Sequence, residues 1–283
     1  MTLKEAYEYG KKKLTEAHIS DADLDAWYLL EYVTGISRAM YFMDMMRTLE
    51  QNQEMQYREY IKIRAAHTPL QHITGVQEFM GLEFCVNEQV LVPRQDTEVL
   101  VEQVLQDLKQ CGEKKQKILD MCTGSGCILL SIVKLCKECD ITGVGVDLSE
   151  AALDVAKKNA EKLHADVLLL QSNLFEQVEE SFDMIVSNPP YIPTKVIDEL
   201  EEEVKLHDPY LALDGKEDGL YFYRRIVEES PKYLNKGGKL YFEIGHDQGE
   251  AVSMLMKQAG FKAVTVKKDL AGLDRVVFGV YNV

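Results

Sequence analysis

Four consecutive residues, Asn188, Pro189, Pro190 and Tyr191, combine groups that could bind a planar NH2 group. Proline has no backbone N–H, so two adjacent prolines after the apolar run FDMIV cannot continue a central strand. Asn188 offers a side-chain carbonyl oxygen, and Pro189 offers a backbone carbonyl without a competing donor. These two acceptors would orient the two hydrogens of an amine or amide. Tyr191 would supply a flat face, and Pro190 would keep the turn rigid.

An NH2 group bound in this way is a candidate for methylation. The lone pair of an amide or exocyclic nitrogen is conjugated, which makes that nitrogen a poor nucleophile. Acceptors for its two hydrogens favour pyramidal geometry and stabilise the positive charge that grows on nitrogen in the transition state. In-line attack on a sulfonium methyl then needs mainly proximity and alignment. The tetrapeptide therefore predicts nitrogen methylation that requires no metal and no covalent intermediate.

A second segment, ILDMCTGSGC, predicts where a methyl donor would bind. It leaves a buried strand that ends at Asp120 and runs through Gly124 and Gly126 into a helix. Glycines in such a turn let the backbone approach a ligand at the helix N-terminus. Asp147 ends the next strand, 23 residues after Gly124, and a carboxylate at that place typically binds a ribose diol. The glycine turn and Asp147 together predict an adenosine-type ligand at the carboxyl edge of a sheet.

The loop departs from the two common nucleotide-binding motifs. Cys122 stands where the first glycine of G-x-G-x-x-G would be, the third glycine is missing, and no P-loop lysine follows. At the end of the next strand, Asn173 could face an adenine amino group. Leu174 could pack on the adenine ring, and ordinary core packing explains Leu174 equally well. These features favour an adenosine ligand over a dinucleotide or a nucleoside triphosphate.

The elements that must position these residues alternate between strands and helices from about Lys117 onward. KILDM, ITGVGVDLS, DVLLLQSN, SFDMIVSN and GGKLYFEIG are predicted strands, and apolar periodicity places helices between most of them. This alternation predicts a parallel, doubly wound α/β sheet. FKAVTVKKD and DRVVFGVY lack a helix between them, so the last strand pair is predicted to be antiparallel.

The residues before this region have a different hydrophobic pattern. Residues 1–75 space apolar side chains three and four apart, which predicts a small helical bundle that docks a partner or buttresses the rest. Residues 76–92 place aromatic and β-branched side chains around Gly81, which predicts a β-hairpin linker. Residues 93–283 are then the domain that contains the candidate site.

Composition narrows the functional classes. The 283 residues include 47 acidic and 32 basic side chains, a formal net charge of −15 at pH 7, which argues against a general route onto nucleic-acid phosphates. We find no apolar run of membrane-spanning length and no signal-peptide pattern, and we expect a cytoplasmic protein. The acidic segment DELEEEVKLHD is predicted to be a solvated helix face, with a docking surface for a basic partner as the alternative.

The cysteine and histidine spacings do not predict a metal site. Cys136 and Cys139 form a C-x-x-C pair, but a zinc site needs four ligands and the chain has no second pair. The six histidines show no H-E-x-x-H spacing. We therefore expect reduced thiols and no bound metal.

The motifs together resemble those of the release-factor glutamine methyltransferases, the HemK/PrmC family. The resemblance covers nearly the whole chain and includes TPLQHITGVQEFMGLEF, VLVPRQDTEVLVE, ILDMCTGSG, VSNPPYIP, LDGKEDGLYFYR and GGKLYFEIG. N-P-P-Y alone is shared with adenine and guanine methyltransferases, whereas VPRQDTE, EDGLYFYR and EIG are more specific to the family. Three positions depart from the family pattern: Cys122 replaces a glycine, Asn173 an aspartate and Gln95 a proline.

The resemblance implies a class I, Rossmann-like methyltransferase sheet preceded by a helical N-terminal domain. It implies methyl transfer from S-adenosylmethionine, leaving S-adenosylhomocysteine, to the side-chain amide of the glutamine in the Gly-Gly-Gln loop of peptide chain release factors. The substrate-binding and catalytic residues would be Asn188, Pro189, Pro190 and Tyr191. Together with Asn173, considered above, the cofactor-binding residues would be Cys122, Thr123, Gly124, Ser125, Gly126, Asp147, Leu174 and Asn188.

Two other functions remain open at this stage. The first is a nucleic-acid base N-methyltransferase, which the shared N-P-P-Y permits and which would need a basic groove and aromatics for a flipped base. The second is a module that binds adenosine ligands without catalysis, which the intact N-P-P-Y disfavours. For the preferred function we expect a monomer that acts on a protein substrate, with no direct nucleic-acid partner and no membrane association.

Overall fold

The computed structural model describes residues 1–112 and 114–282. Contacts group these residues into two compact units. The first comprises Met1–Val76 and Glu201–His207, and the second comprises the remaining described residues. Each unit has its own hydrophobic core, so each is described by itself.

The first unit is helical, as its apolar periodicity predicts. Thr2 caps the first helix through a capping box, because its hydroxyl accepts from the Glu5 N–H while the Glu5 carboxylate accepts from the Thr2 N–H. The second helix ends at Gly35, whose φ of +66° suits a residue without a Cβ. The helices that the N-terminal segment contributes are α1 (Leu3–Glu16), α2 (Ala22–Thr34), α3 (Arg38–Met43), α4 (Gln51–Ala65) and α5 (Leu70–Thr74).

The remaining described elements follow in chain order, and α9 is the one among them that lies entirely in the first unit. They are β1 (Val76–Phe79), β2 (Leu82–Cys85), α6 (Glu98–Leu108), β3 (Gln116–Met121), α7 (Cys127–Leu135), β4 (Ile141–Asp147), α8 (Glu150–Leu163), β5 (Val167–Gln171), β6 (Phe182–Ser187), α9 (Glu202–His207), α10 (Tyr210–Leu213), α11 (Tyr221–Glu229), β7 (Leu234–Glu243), α12 (Gly249–Gln258), β8 (Lys262–Lys268) and β9 (Asp274–Val280). Three short 3-10 helices add Gln95–Thr97, Thr194–Glu199 and Ser230–Lys232.

The second unit is built on a seven-stranded sheet in the order β5-β4-β3-β6-β7-β9-β8. The five strands from β3 to β7 pair in parallel, and β9 pairs antiparallel with both β7 and β8. The predicted α/β fold with an antiparallel last strand is therefore confirmed. The strand order reverses at β3, because β4 and β5 lie on one side of it and β6 and β7 on the other. Ligands of open α/β sheets bind at such a point, beyond the carboxyl ends of the strands.

Both faces of the sheet are covered, which explains the continuous apolar character of its strands. One cluster packs α11 and α12 against one face around Phe242 and Tyr223, and another packs α6 and α7 against the opposite face around Leu129 and Tyr241. The hairpin β1–β2 attaches to this second cluster through Phe79 and Phe84, whose ring centroids lie 6.1 Å apart.

The acidic segment DELEEEVKLHD is predicted to be a solvated helix face, and two of its acidic residues instead form ion pairs within the fold. Within the first unit, Glu203 forms an ion pair of 2.6 Å with the buried Arg64. Within the second unit, the Asp208 side chain is 1% exposed and forms an ion pair of 2.8 Å with Arg94. The partners lie more than a hundred residues earlier in the chain, so a local charge pattern could not reveal them. Part of this acidic run is therefore structural.

The helices and the cysteines give two further structural findings. Within residues 1–112 and 114–282, none of the helices combines the length and the apolar character needed to cross a bilayer. All six cysteines are free thiols, and the Sγ atoms of Cys136 and Cys139 lie 3.3 Å apart.

Candidate functional site

The turn after β3 has the backbone conformation that its glycines predict. Gly124 and Gly126 have φ values of +54° and +79°, in the left-handed region that favours glycine. Gly126 is also the N-cap of α7, and a Cβ there would lie 3.0 Å from the Leu130 side chain. Cys122 adopts φ +62° in the same turn. It therefore occupies, with a side chain, a conformation that costs a non-glycine residue about 1–2 kcal/mol.

Asp147 binds this turn directly from the end of β4. Its Oδ2 accepts a hydrogen bond of 2.8 Å from the Gly124 N–H, and its Oδ1 accepts one of 2.9 Å from the Ser149 N–H. Burial raises the pKa of Asp147, and the two N–H donors oppose that rise because they bind the charged form. The carboxylate therefore fixes the loop after β3 against the loop after β4.

Asp120, which the sequence marked only as a strand end, is a structural centre of the turn. It is fully buried and accepts a hydrogen bond of 2.6 Å from the Thr123 hydroxyl. Burial raises the pKa of Asp120 to about 7. The sequence pattern places Asp120 at the end of a strand. Nothing in the local pattern indicated that its carboxyl group would accept a hydrogen bond from the Thr123 side chain.

Asn173 and Leu174 follow β5, as predicted. The Asn173 Nδ2 donates to Glu176 at 2.7 Å, and its Oδ1 accepts from Arg225 at 3.4 Å. Leu174 is buried, with φ +55°. The side-chain oxygen of Asn173 thus already accepts a long hydrogen bond from Arg225. A hydrogen bond from an adenine amino group would be a second one to the same oxygen.

A cavity of about 350 Å³ brings most of the predicted residues together, within the size range typical of small-molecule sites. Most of its lining is apolar, and Asp147 contributes a carboxylate. Gly126, Pro189 and Tyr191 are not among its lining residues. The predicted residues that do line it are Cys122, Thr123, Gly124, Ser125, Asp147, Asn173, Leu174, Asn188 and Pro190.

Asn188 enters this cavity from the end of β6, next to β3 in the sheet. Parallel neighbours end at the same edge, which is why the tetrapeptide and the glycine turn meet. In the part of the chain that the structure describes, no side chain or backbone group is hydrogen-bonded to the Asn188 amide. Its carbonyl oxygen is therefore available to a donor from a bound molecule.

Tyr191, which is predicted to supply a flat face for the NH2 group, is not among the residues that line the cavity. Its ring packs against the core cluster on the α11–α12 side of the sheet, and its hydroxyl lies 3.5 Å from the Glu243 Oε1. Burial raises the pKa of Tyr191, and burial also raises the pKa of Glu243 to about 7. Glu243, which belongs to the EIG segment, thus lies beside Tyr191 and is not among the residues that line the cavity.

The described residues offer no set of side chains that could bind a metal ion. Among them, no group of three or more histidine, cysteine, aspartate or glutamate side chains is placed to bind a metal ion. The cavity lining instead includes the Asp147 carboxylate and the Asn188 side-chain carbonyl, acceptors that suit hydroxyl and amine donors.

Comparison with known proteins assigns the two parts of the chain separately. A family model described as the PrmC N-terminal domain matches residues 5–75, and one described as the methyltransferase small domain matches residues 95–204. A methyltransferase from Pyrococcus furiosus has the same fold, with a TM-score of 0.53 at 20% sequence identity, over 72% of this chain and 90% of that one.

Relatives of nearly the same length give the assignment. The release factor glutamine methyltransferase of Geobacter sulfurreducens is 39% identical over 98% of this chain and 96% of its own. The release factor glutamine methyltransferase of Caulobacter vibrioides is 40% identical over 100% of this chain and 97% of its own. The chain therefore belongs to the release factor glutamine methyltransferase family.

Proposed function

We propose that the protein transfers a methyl group from S-adenosylmethionine to the side-chain amide nitrogen (N5) of the glutamine in the Gly-Gly-Gln motif of peptide chain release factors, and so modulates translation termination. The observation that carries the proposal is that Asn188 lines the same cavity as the glycine turn and Asp147. One cavity can therefore accommodate both a methyl donor and the acceptor nitrogen.

The residues present fit S-adenosylmethionine. Asp147 presents a carboxylate for the two ribose hydroxyls, and Leu174 contributes an apolar surface for the adenine ring. Gly124 and Gly126 allow the backbone of the turn to approach the ligand closely. When bound, S-adenosylmethionine supplies a sulfonium methyl group that a nitrogen lone pair can attack.

The acceptor amide is oriented by groups of the tetrapeptide. The Asn188 side-chain oxygen and the Pro189 backbone oxygen accept the two hydrogens of the glutamine NH2. Binding of both hydrogens favours the pyramidal nitrogen, whose lone pair is not conjugated. The same acceptors stabilise the positive charge that develops as the carbon–nitrogen bond forms. The proton then leaves the N-alkylated cation, which is strongly acidic, so we assign no dedicated general base.

The function is tested by incubating the purified protein with labelled S-adenosylmethionine and a purified release factor, followed by peptide mapping. We expect label on the Gly-Gly-Gln glutamine and none on a release factor in which that glutamine is replaced by glutamate. Duplex DNA and structured RNA are parallel acceptors. Robust methylation of a nucleic acid, with none of the release factor, would establish the base N-methyltransferase alternative instead.

Asp147→Asn is expected to weaken S-adenosylmethionine binding by about 10²-fold. A hydrogen bond to a charged group contributes about 1.5–3 kcal/mol, and about 1.4 kcal/mol corresponds to tenfold in affinity. The asparagine NH2 would also face an N–H donor of the turn, from Gly124 or Ser149. Calorimetric titration measures the dissociation constant. Asp154→Asn, at an exposed surface ion pair, is the matched control. A dissociation constant within twofold of the wild-type value would remove Asp147 from the cofactor site.

We also propose a division of labour along the chain. Residues 1–75 dock the protein substrate, residues 76–92 form a hairpin linker, and residues 93–283 carry out methyl transfer. Support for docking comes from apolar side chains that α3 and the turn after it expose to solvent, since exposed apolar patches commonly mark interaction sites. These side chains are Met40, Phe42, Met43 and Met46, which are 53–86% exposed.

Phe42→Glu is accordingly expected to raise KM for an intact release factor by about tenfold, the effect of losing a strong interface contact. KM for a short peptide that contains the Gly-Gly-Gln loop should not change, because such a peptide lacks the rest of the release factor that residues 1–75 are proposed to dock. Initial-rate kinetics with both substrates make the comparison. Lys12→Glu tests a charge change at another exposed position of the same unit. Equal KM values for wild type and Phe42→Glu would exclude this surface.

The location and assembly of the protein follow from the same proposal. Release factors act on ribosomes, so we place the protein in the cytoplasm. We also propose that the protein is a monomer.

A further inference from the structure

The main chain directly after the two prolines is bound to a distant segment. The Ile192 N–H donates to the Leu213 carbonyl at 3.0 Å, and the Gly215 N–H donates to the Ile192 carbonyl at 2.8 Å. The two stretches form a parallel β-bridge at this point. The LDGKEDG part of the sequence, to which the predicted mechanism assigned no role, therefore binds the end of the N-P-P-Y loop.

A buried glutamine binds the same loop from another side. Gln248 is 8% exposed and precedes α12 as its N-cap residue. Its Nε2 donates to the Tyr191 carbonyl at 2.9 Å and lies 3.4 Å from the Gly219 carbonyl, while its Oε1 accepts from the Gly245 N–H at 3.0 Å. One side-chain amide thus joins the N-P-P-Y loop, the 213–219 segment and the turn after β7.

The glycines of the 213–219 segment make room for this arrangement. A Cβ on Gly219, whose φ is +73°, would lie 2.3 Å from the Tyr191 carbonyl oxygen and 2.7 Å from the Gln248 Nε2. A Cβ on Gly215 would lie 2.7 Å from the Tyr191 carbonyl carbon. Both approaches are too close for any side chain, so the segment contacts the Tyr191 peptide group through backbone alone.

The prolines make this external support necessary. Pro189 and Pro190 have no N–H to donate, so the loop cannot stabilise its own turn with their donors. Pro190 also fixes its own φ, which removes one of the soft torsions between the Pro189 carbonyl and the Tyr191 carbonyl. Fixing the Tyr191 carbonyl therefore restricts the direction of the Pro189 carbonyl and the position of Asn188.

We propose that Gln248 is a positioning residue for methyl transfer: by donating to the Tyr191 carbonyl, it aligns the acceptor groups of Asn188 and Pro189 with the glutamine amide. The inference rests on the proposed function. It adds a residue that contacts neither the methyl donor nor the acceptor amide, and that lies 57 residues after the loop it supports.

Gln248→Met retains the length of the side chain and removes its hydrogen bonds. We expect kcat for release-factor methylation to fall by about 10- to 100-fold, since a displacement of about 1 Å at a reacting centre can cost about 10²-fold. KM and the dissociation constant for S-adenosylmethionine should stay within twofold, because Asp147 and the glycine turn are untouched. Glu250→Gln, an exposed change in the first turn of α12, is the matched control.

Gly219→Ala tests the same carbonyl from its other side. Its Cβ would displace the Tyr191 oxygen, so the variant should show the same selective loss of kcat. Gly272→Ala is its control, because Gly272 has a similar φ of +82° and nothing within 4 Å of an added Cβ. Both alanine variants bear comparable backbone strain, and only the first contacts the loop. Equal kcat values for the two would overturn the proposal.

Hydrogen exchange separates this inference from the proposed function. The Ile192 amide, which is bound to the Leu213 carbonyl, should exchange slowly in the wild type and at least about tenfold faster in Gln248→Met, while amides of β3 keep their protection. Unchanged exchange at Ile192, or wild-type kcat in a folded Gln248→Met protein, would overturn the positioning role. A wild-type protein that leaves release factors unmethylated would instead overturn the proposed function, and the exchange result would still decide the role of Gln248.

Discussion

Asn188→Ala is expected to lower kcat for release-factor methylation by about 10³-fold, in the range seen when a group that stabilises transition-state charge is removed. The alanine has no acceptor for the glutamine NH2, so neither the orientation of the amide nor the charge that grows on its nitrogen is supported from that side. The fold should persist, because the described residues make no hydrogen bond to the Asn188 side chain. Single-turnover methylation with a saturating methyl donor measures the effect without a contribution from binding.

Asn188→Gln sharpens this test. It retains the amide and moves it by one methylene, so a role that depends on geometry predicts a loss nearly as large as that of alanine. Asn52→Ala, on the exposed surface of α4, controls for loss of an asparagine elsewhere. Near-normal turnover by Asn188→Ala, with an unchanged thermal midpoint, would refute the mechanism in which this residue binds the acceptor nitrogen.

The second large effect concerns stability and involves the helical unit alone. Arg64 is 4% exposed; its Nε donates to the Asp25 Oδ2 at 2.7 Å, one terminal nitrogen contacts Glu203 at 2.6 Å, and the other donates to the Thr68 carbonyl at 3.1 Å. Removing one partner of such a buried pair leaves an uncompensated charge and costs about 3–5 kcal/mol. Burial already raises the pKa of Asp25, with Arg64 opposing that rise.

Arg64→Ala should therefore lower the free energy of unfolding of this unit by about 3–5 kcal/mol. Trp27, the single tryptophan of the chain, is buried in the helical core, so its fluorescence during urea denaturation follows this unit selectively. Lys12→Ala, at a largely exposed lysine, removes its 3.9 Å ion pair with Glu16. This change should lower the free energy of unfolding by at most about 1 kcal/mol. The double variant with Asp25→Ala should lose less than the sum of the two single changes, and strict additivity would show that the pair is not coupled.

The position of the site could be predicted from the sequence because parallel strands deliver their carboxyl ends to one edge. Gly124, Asp147, Asn173 and Asn188 each follow a predicted strand, and all four line one cavity. The alternation of strands and helices was sufficient for this result. The sheet order was not needed, and the sequence did not provide it.

What could not be predicted depends on contacts between distant segments. Gln248 lies in a turn with no motif of its own, and its importance emerges only when β7 places it beside Tyr191. The partly buried Tyr191 ring packs against the core cluster that contains side chains of α11 and α12, which a local pattern does not show. Likewise, Glu203 belongs to an acidic run whose composition indicated solvent exposure, and a distant arginine gives it an ion pair.

The strand order has a consequence for how the protein is made. β8 has one neighbour in the sheet, β9, and β9 alone connects it to β7. Translation must therefore proceed past Val280 before the two strands beyond β7 can be added to the sheet, even though the five parallel strands are complete by Glu243. Until then, β7 remains an open edge that can pair with another chain. A chain truncated between Glu243 and Asp274 would thus have all of the proposed catalytic residues and, with β7 as an open edge, would be prone to aggregate.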